Sequence, residues 1–122
     1  MIDDVISVTM PCTPLYARVA RTAAAACGVL EGFSVEELGD LRLLVDEVFT
    51  AMYELGARRL KLRLAPADGV VAVQIAADGP LGERRGIADV RFARTLADVV
   101  ASDVRFDLRG GHPLFAARMA AA

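Results

Sequence analysis

The sequence predicts a two-layer α/β sandwich, with helices covering one face of a mixed or antiparallel sheet. Three observations predict it. Short alternating runs and helical runs follow one another in the order β-α-α-β-β-α-β-β. Ser34 and Glu37 stand three apart ahead of an apolar run, which is a helix-start signature with both residues in place. Asp68-Gly69 lies between two alternating runs, where a two-residue hairpin turn belongs.

Residues 5–10 alternate as a short strand. Thr13-Pro14 then reads as an N-cap followed by proline at the first helical position. The first helix runs from there to about residue 27, with Leu15, Val19, Ala23 and Ala26 as its apolar stripe and Gly28 as its stop. Phe33 is available as the staple residue of the second helix. Leu38, Leu41, Val45, Val48, Met52 and Leu55 recur there at helical spacing, and Gly56 ends the run. Asp40, Glu47, Ala51 and Glu54 fall along the other side.

Residues 59–64 set Arg59, Lys61 and Arg63 against Leu60, Leu62 and Leu64, and residues 70–76 form the return strand. Residues 78–86 read as a loop rich in glycine and charge, and 87–100 as the third helix. Residues 104–108 and 114–119 make the last pair of strands, joined through Arg109-Gly110-Gly111-His112-Pro113.

The 122 residues fit one domain spanning 1–122, without repeats or a linker, and 55% apolar content suffices for a core. A formal net charge of -2 gives no electrostatic reason to expect nucleic acid or an anionic membrane. Arg58, Arg59, Lys61 and Arg63 form either a local basic patch or the solvated face of a strand. Two cysteines, Cys12 and Cys27, and one histidine, His112, are too few for a structural zinc site, so no metal centre is expected. The start MIDDVISV lacks the basic opening of a signal peptide, and no apolar run is long enough to span a bilayer. The expectation is a cytoplasmic protein with reduced thiols.

The element order and the run Leu-Arg-Leu-Leu-Val-Asp-Glu-Val-Phe-Thr-Ala-Met (LRLLVDEVFTAM) resemble the GHKL ATPase superfamily (the Bergerat fold), and among its members the anti-sigma factors of the RsbW and SpoIIAB type. PLYARVARTAAAACG is similar to their first helix, LADVVASDVRFD to the end of the third helix and the next strand, and Gly110-Gly111 to a late glycine turn. The likeness covers nearly the whole chain, although its diagnostic motifs are short. The lead with Asp-Glu-Val is most like the actinobacterial RsbW (UsfX) branch.

The resemblance implies a protein that sequesters an RNA polymerase sigma factor and is released by a STAS-domain anti-anti-sigma protein, with a homodimer left open. Active members phosphorylate the STAS protein on serine or threonine. In their second helix Glu, Thr and Asn stand at fixed steps, and here Glu47 and Thr50 match while Ala51 replaces the asparagine. That asparagine holds magnesium through a carboxamide oxygen, and alanine has no ligand atom. Glu47 is then either a weak, vestigial base or an ordinary helix carboxylate. The family's adenine-binding Asp-Gly motif maps onto Asp78-Gly79, but neither alignment preserves it: Ala77 or Pro80 falls where it should not. Gly82 and Gly86 are too few for a phosphate loop, and Arg84, Arg85, Arg91 and Arg94 there are either anion-directed or solvated. ATP with magnesium is therefore not expected as a cofactor. Arg18, Pro14 and Thr50 are the partner-binding residues the resemblance implies, Arg18 through a guanidinium fork suited to carboxylates. The alternatives are a working serine/threonine kinase and an unrelated small α/β interaction domain.

Overall fold

A computed structural model describes residues 4–122. Its elements are β1 (Ile6–Pro11), a 3₁₀ turn (Pro14–Tyr16), α1 (Ala17–Leu30), α2 (Val35–Glu54), β2 (Arg59–Ala67), β3 (Val70–Ala77), α3 (Arg91–Val100), β4 (Ser102–Asp107) and β5 (Leu114–Ala120). The five strands form one sheet in the order β1-β2-β3-β5-β4, and every pair is antiparallel. The predicted element order and two-layer architecture hold.

Strand alternation assigns the two faces of the sheet. Leu60, Leu62 and Leu64 are buried, facing Ile75 and Val73 across the ladder, and Phe115, Ala117 and Met119 continue the same face on β5. Each buried leucine contributes about 1.5–3 kcal/mol relative to exposure. Arg59, Lys61 and Arg63, one residue out of phase, are exposed, so this basic cluster is the solvated side of a strand. The β2–β3 turn takes left-handed values at both central residues, Asp68 (φ 54°) and Gly69 (φ 76°), the conformation whose twist matches paired strands.

The second helix begins as predicted. Glu37 N–H donates to Ser34 Oγ at 3.1 Å and Ser34 N–H donates to Glu37 Oε1 at 2.7 Å. Glu37 Oε2 also accepts from Ala122 N–H at 2.7 Å, tying the helix start to the end of the sheet. These donors, led by Ser34 N–H, hold the Glu37 carboxyl below its ordinary pKa.

The first helix differs from expectation. Leu15, Val19 and Ala26 face solvent, and the buried face is Ala17, Ala20, Ala24, Cys27 and Gly28. Small side chains face inward because α1 packs on both α2 and the sheet, where close approach leaves no room for larger ones. Gly28 is not the stop. A Cβ there would lie 2.7 Å from Leu38 Cδ2 and 3.0 Å from the Phe33 ring, so glycine serves a helix contact. The stop is Gly32 (φ 79°), where Gly32 N–H and Phe33 N–H return to Val29 O and Gly28 O as a Schellman cap.

The third helix is shorter than predicted. It begins at Arg91, and residues 87–90 are irregular, with Ile87 exposed. β4 begins two residues early and carries a register shift between Ser102 and Arg105, with Asp103 left-handed (φ 51°). Among the described residues no helix is long and apolar enough to cross a membrane.

Cys12 and Cys27 are buried and unbridged. Burial pushes the Cys12 thiol up to about 11, against a smaller opposing pull from the Arg85 guanidinium. Burial, then the Glu31 carboxylate, raises Cys27 as well. At pH 8 the thiolate fraction of Cys12 is about a hundredfold below that of a free thiol, so labelling by an aromatic disulfide should be slow in the native protein and fast in denaturant. The folded value lies above the unfolded 9.0, so this thiol's stabilising contribution is intact below pH 9.0 and is lost as pH climbs towards about 11. Equal labelling rates in the native and unfolded protein would refute this.

Candidate functional site

Two concave regions bracket α2. The first is a groove of about 440 Å³ between the start of α1 and the C-terminal half of α2, lined by Pro14, Ala17, Arg21, Asp46, Phe49, Thr50, Tyr53 and Glu54. It exists because the chain enters α1 through the Pro14–Tyr16 turn, whose proline fixes the entry, while α2 continues past it. An Arg21 Nη1–Asp46 Oδ1 ion pair joins the two helices at this groove, with both side chains partly exposed. Thr50 Oγ1 donates to the Asp46 carbonyl at 3.0 Å, so its hydroxyl is turned onto its own helix.

Of the residues expected to meet a partner, Pro14 and Thr50 line this groove together. Arg18 does not; it is exposed on α1 outside it. Leu15 (79% exposed) and Val19 (45% exposed) accompany it, making an apolar pair on the surface around a guanidinium. The sequence placed those two residues in the core because large apolar residues ordinarily mark the buried stripe. Arg21 was not singled out, since its pairing with Asp46, twenty-five residues on, has no local signal.

None of the residues Glu47, Ala51, Asp78 and Gly79 lines either of these two concavities. Glu47 is half-buried on α2 and Ala51, one turn on, is 3% exposed. Asp78 and Gly79 form an exposed turn in which Gly79 takes φ 92° and Asp78 N–H donates to Arg59 O at 2.9 Å. Glu47, Asp78 and Gly79 lie outside the groove. Among the described residues no three His, Cys, Asp or Glu side chains cluster as a cation site.

The loop after Asp78 closes on the end of α2. Gly56 (φ 98°) ends α2 in a second Schellman cap, its N–H reaching Tyr53 O and Ala57 N–H reaching Met52 O. Gly82 N–H then donates to Gly56 O at 2.7 Å and Arg85 N–H to Glu54 O at 2.8 Å. The Arg85 guanidinium donates to Tyr53 O at 2.9 Å and Ala57 O at 2.8 Å, and its carbon lies 4.4 Å from the centre of the Tyr53 ring. Positive charge at a helix C-terminus is favourable, so this arrangement fixes the loop. Of the two readings the sequence left for Arg85, neither anticipates this clamp.

The second concavity, about 640 Å³, lies between this loop, the start of α3 and the end of β4, and includes Leu55, Leu81, Arg84, Arg94, Phe106 and Arg109 in its wall. α3 itself rests against α2, with Ala93 and Ala97 buried.

The sheet order and three helices define a two-layer α/β sandwich. A crystal structure of the RsbU and RsbW domains of Rv1364c from Mycobacterium tuberculosis is similar to this chain over 96% of its length, with a TM-score of 0.67 and 17% sequence identity. The likeness is one of fold. This chain spans 32% of the length of that one. No protein-family model matches the sequence, and no curated protein matches it.

Proposed function

We propose that this chain is a partner-switching regulator that sequesters an RNA polymerase sigma factor, is released by a STAS-domain anti-anti-sigma protein, and has lost its ATP site. The observation that carries the reading is an RsbW-like fold across nearly the whole chain combined with a buried alanine at the position of the metal ligand. The surface around Arg18, with exposed Leu15 and Val19 beside the Pro14–Thr50 groove, is the docking face. It offers apolar area, a fork for carboxylates and a concavity in one place.

Regulation on this reading is competition between two partners for overlapping surface, without chemistry. The residues present do not fit a magnesium nucleotide: Ala51 supplies no oxygen, Asp78 is on an exposed turn, and the loop that would hold phosphates is bonded to the end of α2. On this reading Glu47 is a structural remnant.

The test is affinity co-purification from the native cell, followed by binding measurements with the recovered partner. A sigma factor or a STAS protein is expected. The Arg18→Glu/Val19→Glu variant should keep its circular dichroism spectrum and weaken binding by about a hundredfold, as loss of a central anchor does. Recovery of neither class of partner would overturn the reading.

A further inference from the structure

The sheet has a second face, which the proposed docking of partners at α1 and α2 does not use. The helices pack on the side of Leu62, Ile75 and Phe115, and the opposite side is open. Its middle is a strip of small or uncharged side chains on the neighbouring strands β3 and β5: Ala72, Gln74 and Ala76, with Leu114 and Ala116 beside them, all half-buried. The ladder sets Lys61 and Arg63 of β2 opposite Ala76 and Gln74, and Arg105 of β4 opposite Ala116. Long cationic side chains therefore stand on both sides of a low floor. The surface is concave there, with a cavity of about 330 Å³ whose lining includes Ala72, Gln74 and Ala116 between Arg63 and Arg118.

Width and charge choose the occupant. Neighbouring strands lie about 4.8 Å apart, so the cationic rows of β2 and β4 are about 14 Å apart. An α-helix with its side chains is about 10–12 Å across. One helix laid along β3 and β5 fills the trough and leaves the flanking cations in water at its rims. A second sheet would have to cover the Lys61–Arg63 row and take its charges out of solvent, which is costly. The face carries the cations Arg59, Lys61, Arg63, Arg105 and Arg118 against the carboxylates Asp103 and Asp107, in a chain whose formal net charge is -2. Arg118 has Asp103 at 3.7 Å and Arg105 has Asp107 at 3.9 Å. Among the described residues Arg59, Lys61 and Arg63 have no carboxylate within ion-pair distance. The floor holds no aromatic ring on which a base could stack, so a single-stranded nucleic acid gains only phosphate contacts there.

We infer that the open face of the sheet is a docking surface for an amphipathic helix of another protein, which lays a stripe of alanine- and leucine-sized side chains on the β3–β5 floor and carries acidic residues along its flanks. The flank that meets Lys61 and Arg63 is the more acidic, because those two cations lack carboxylate partners among the described residues. The surface shares no lining residue with the Pro14–Thr50 groove, so it stands or falls independently of the proposed sigma factor and STAS protein.

The experiment is an NMR titration of the whole chain with a hydrocarbon-stapled helical peptide of about 18 residues, about 27 Å long and so matched to the eight residues of β3. The peptide carries leucine and alanine on one face and glutamate on both flanks; a second peptide has lysine in place of glutamate. The glutamate peptide should shift the amides of residues 61–63, 72–76 and 114–118 and bind at least about tenfold more tightly than the lysine peptide. Ala116→Glu, in the floor, should abolish the shifts, and Lys61→Glu/Arg63→Glu should weaken binding about tenfold, each with an unchanged circular dichroism spectrum. Arg42→Glu, on the exposed side of α2, should leave binding unchanged. The exposed Lys61 and Arg63 pair serves alone if the floor substitution prevents folding. Absence of shifts, equal affinity for the two peptides, or affinity indifferent to these variants would overturn the surface. Self-association of the free chain in sedimentation equilibrium that Ala116→Glu abolishes would overturn the helix in favour of a second copy. Tighter binding of oligouridylate at the same amides would overturn it in favour of nucleic acid.

Discussion

Replacing Ala51 with asparagine is expected to destabilise the protein by about 2–5 kcal/mol and to leave it without measurable magnesium-dependent ATP binding. The substitution restores the residue that the resemblance assigns to metal binding, so a site lacking only that ligand would recover. Here Ala51 is 3% exposed, on a helix against which α3 rests. A carboxamide placed there overfills packed space and buries an amide, an unpaired polar group costing about 1–3 kcal/mol. Ala51→Val separates the two causes, since it adds bulk without polarity. Thermal unfolding reads the stability and isothermal titration reads the nucleotide. A stable variant that binds magnesium-ATP at micromolar concentration would show that a nucleotide site lacking only this ligand is present, against the proposed loss of the whole site.

Gly56→Ala should be the more damaging single change per atom added. The residue sits at φ 98°, and an added Cβ would lie 2.5 Å from Gly82 O and 2.7 Å from Glu83 O, both backbone atoms. The left-handed conformation costs a non-glycine residue about 1–3 kcal/mol, and the clash pushes away the loop that Arg85 clamps, for a total of about 3 kcal/mol or more. Gly69→Ala is the control: φ is 76°, but nothing lies within 4 Å, so only the conformational penalty applies. Chemical denaturation of the two variants should rank Gly56→Ala well below Gly69→Ala. Equal stabilities would mean that the loop is not seated on the helix end. Because Gly82 and Arg84 also line the 640 Å³ concavity, Gly56→Ala should reshape its wall in the remaining folded protein.

Much of the fold was legible because its signals are local. The capping box at Ser34 and Glu37 needs only four residues, the Asp68-Gly69 turn only two, and leucines at every second position of β2 need only the strand's own period. The candidate site was legible in part. Of the three residues the resemblance marks for a partner, Pro14 and Thr50 line one groove and Arg18 lies outside it.

What stayed hidden depends on contacts between distant segments. α1 buries Ala17, Ala20 and Ala24 and exposes Val19, with Leu15 exposed on the turn before it, which reverses the usual reading of an apolar stripe; only the closeness of α1 to α2 and the sheet decides that. Arg84, Arg85, Arg91 and Arg94 looked alike in sequence. In the fold, Arg91 pairs with Asp89, Arg85 clamps the end of α2, and Arg84, Arg94 and Arg109 are exposed along the wall of one concavity. The sequence by itself determined the order of elements, the two sides of the sheet and the absence of any ligand atom at Ala51, because periodicity, caps and side-chain chemistry are properties of short segments. The tertiary structure decided which glycine ends α1 and which arginines are spent on structure, because those outcomes follow from close packing and charge pairing between residues far apart in the chain.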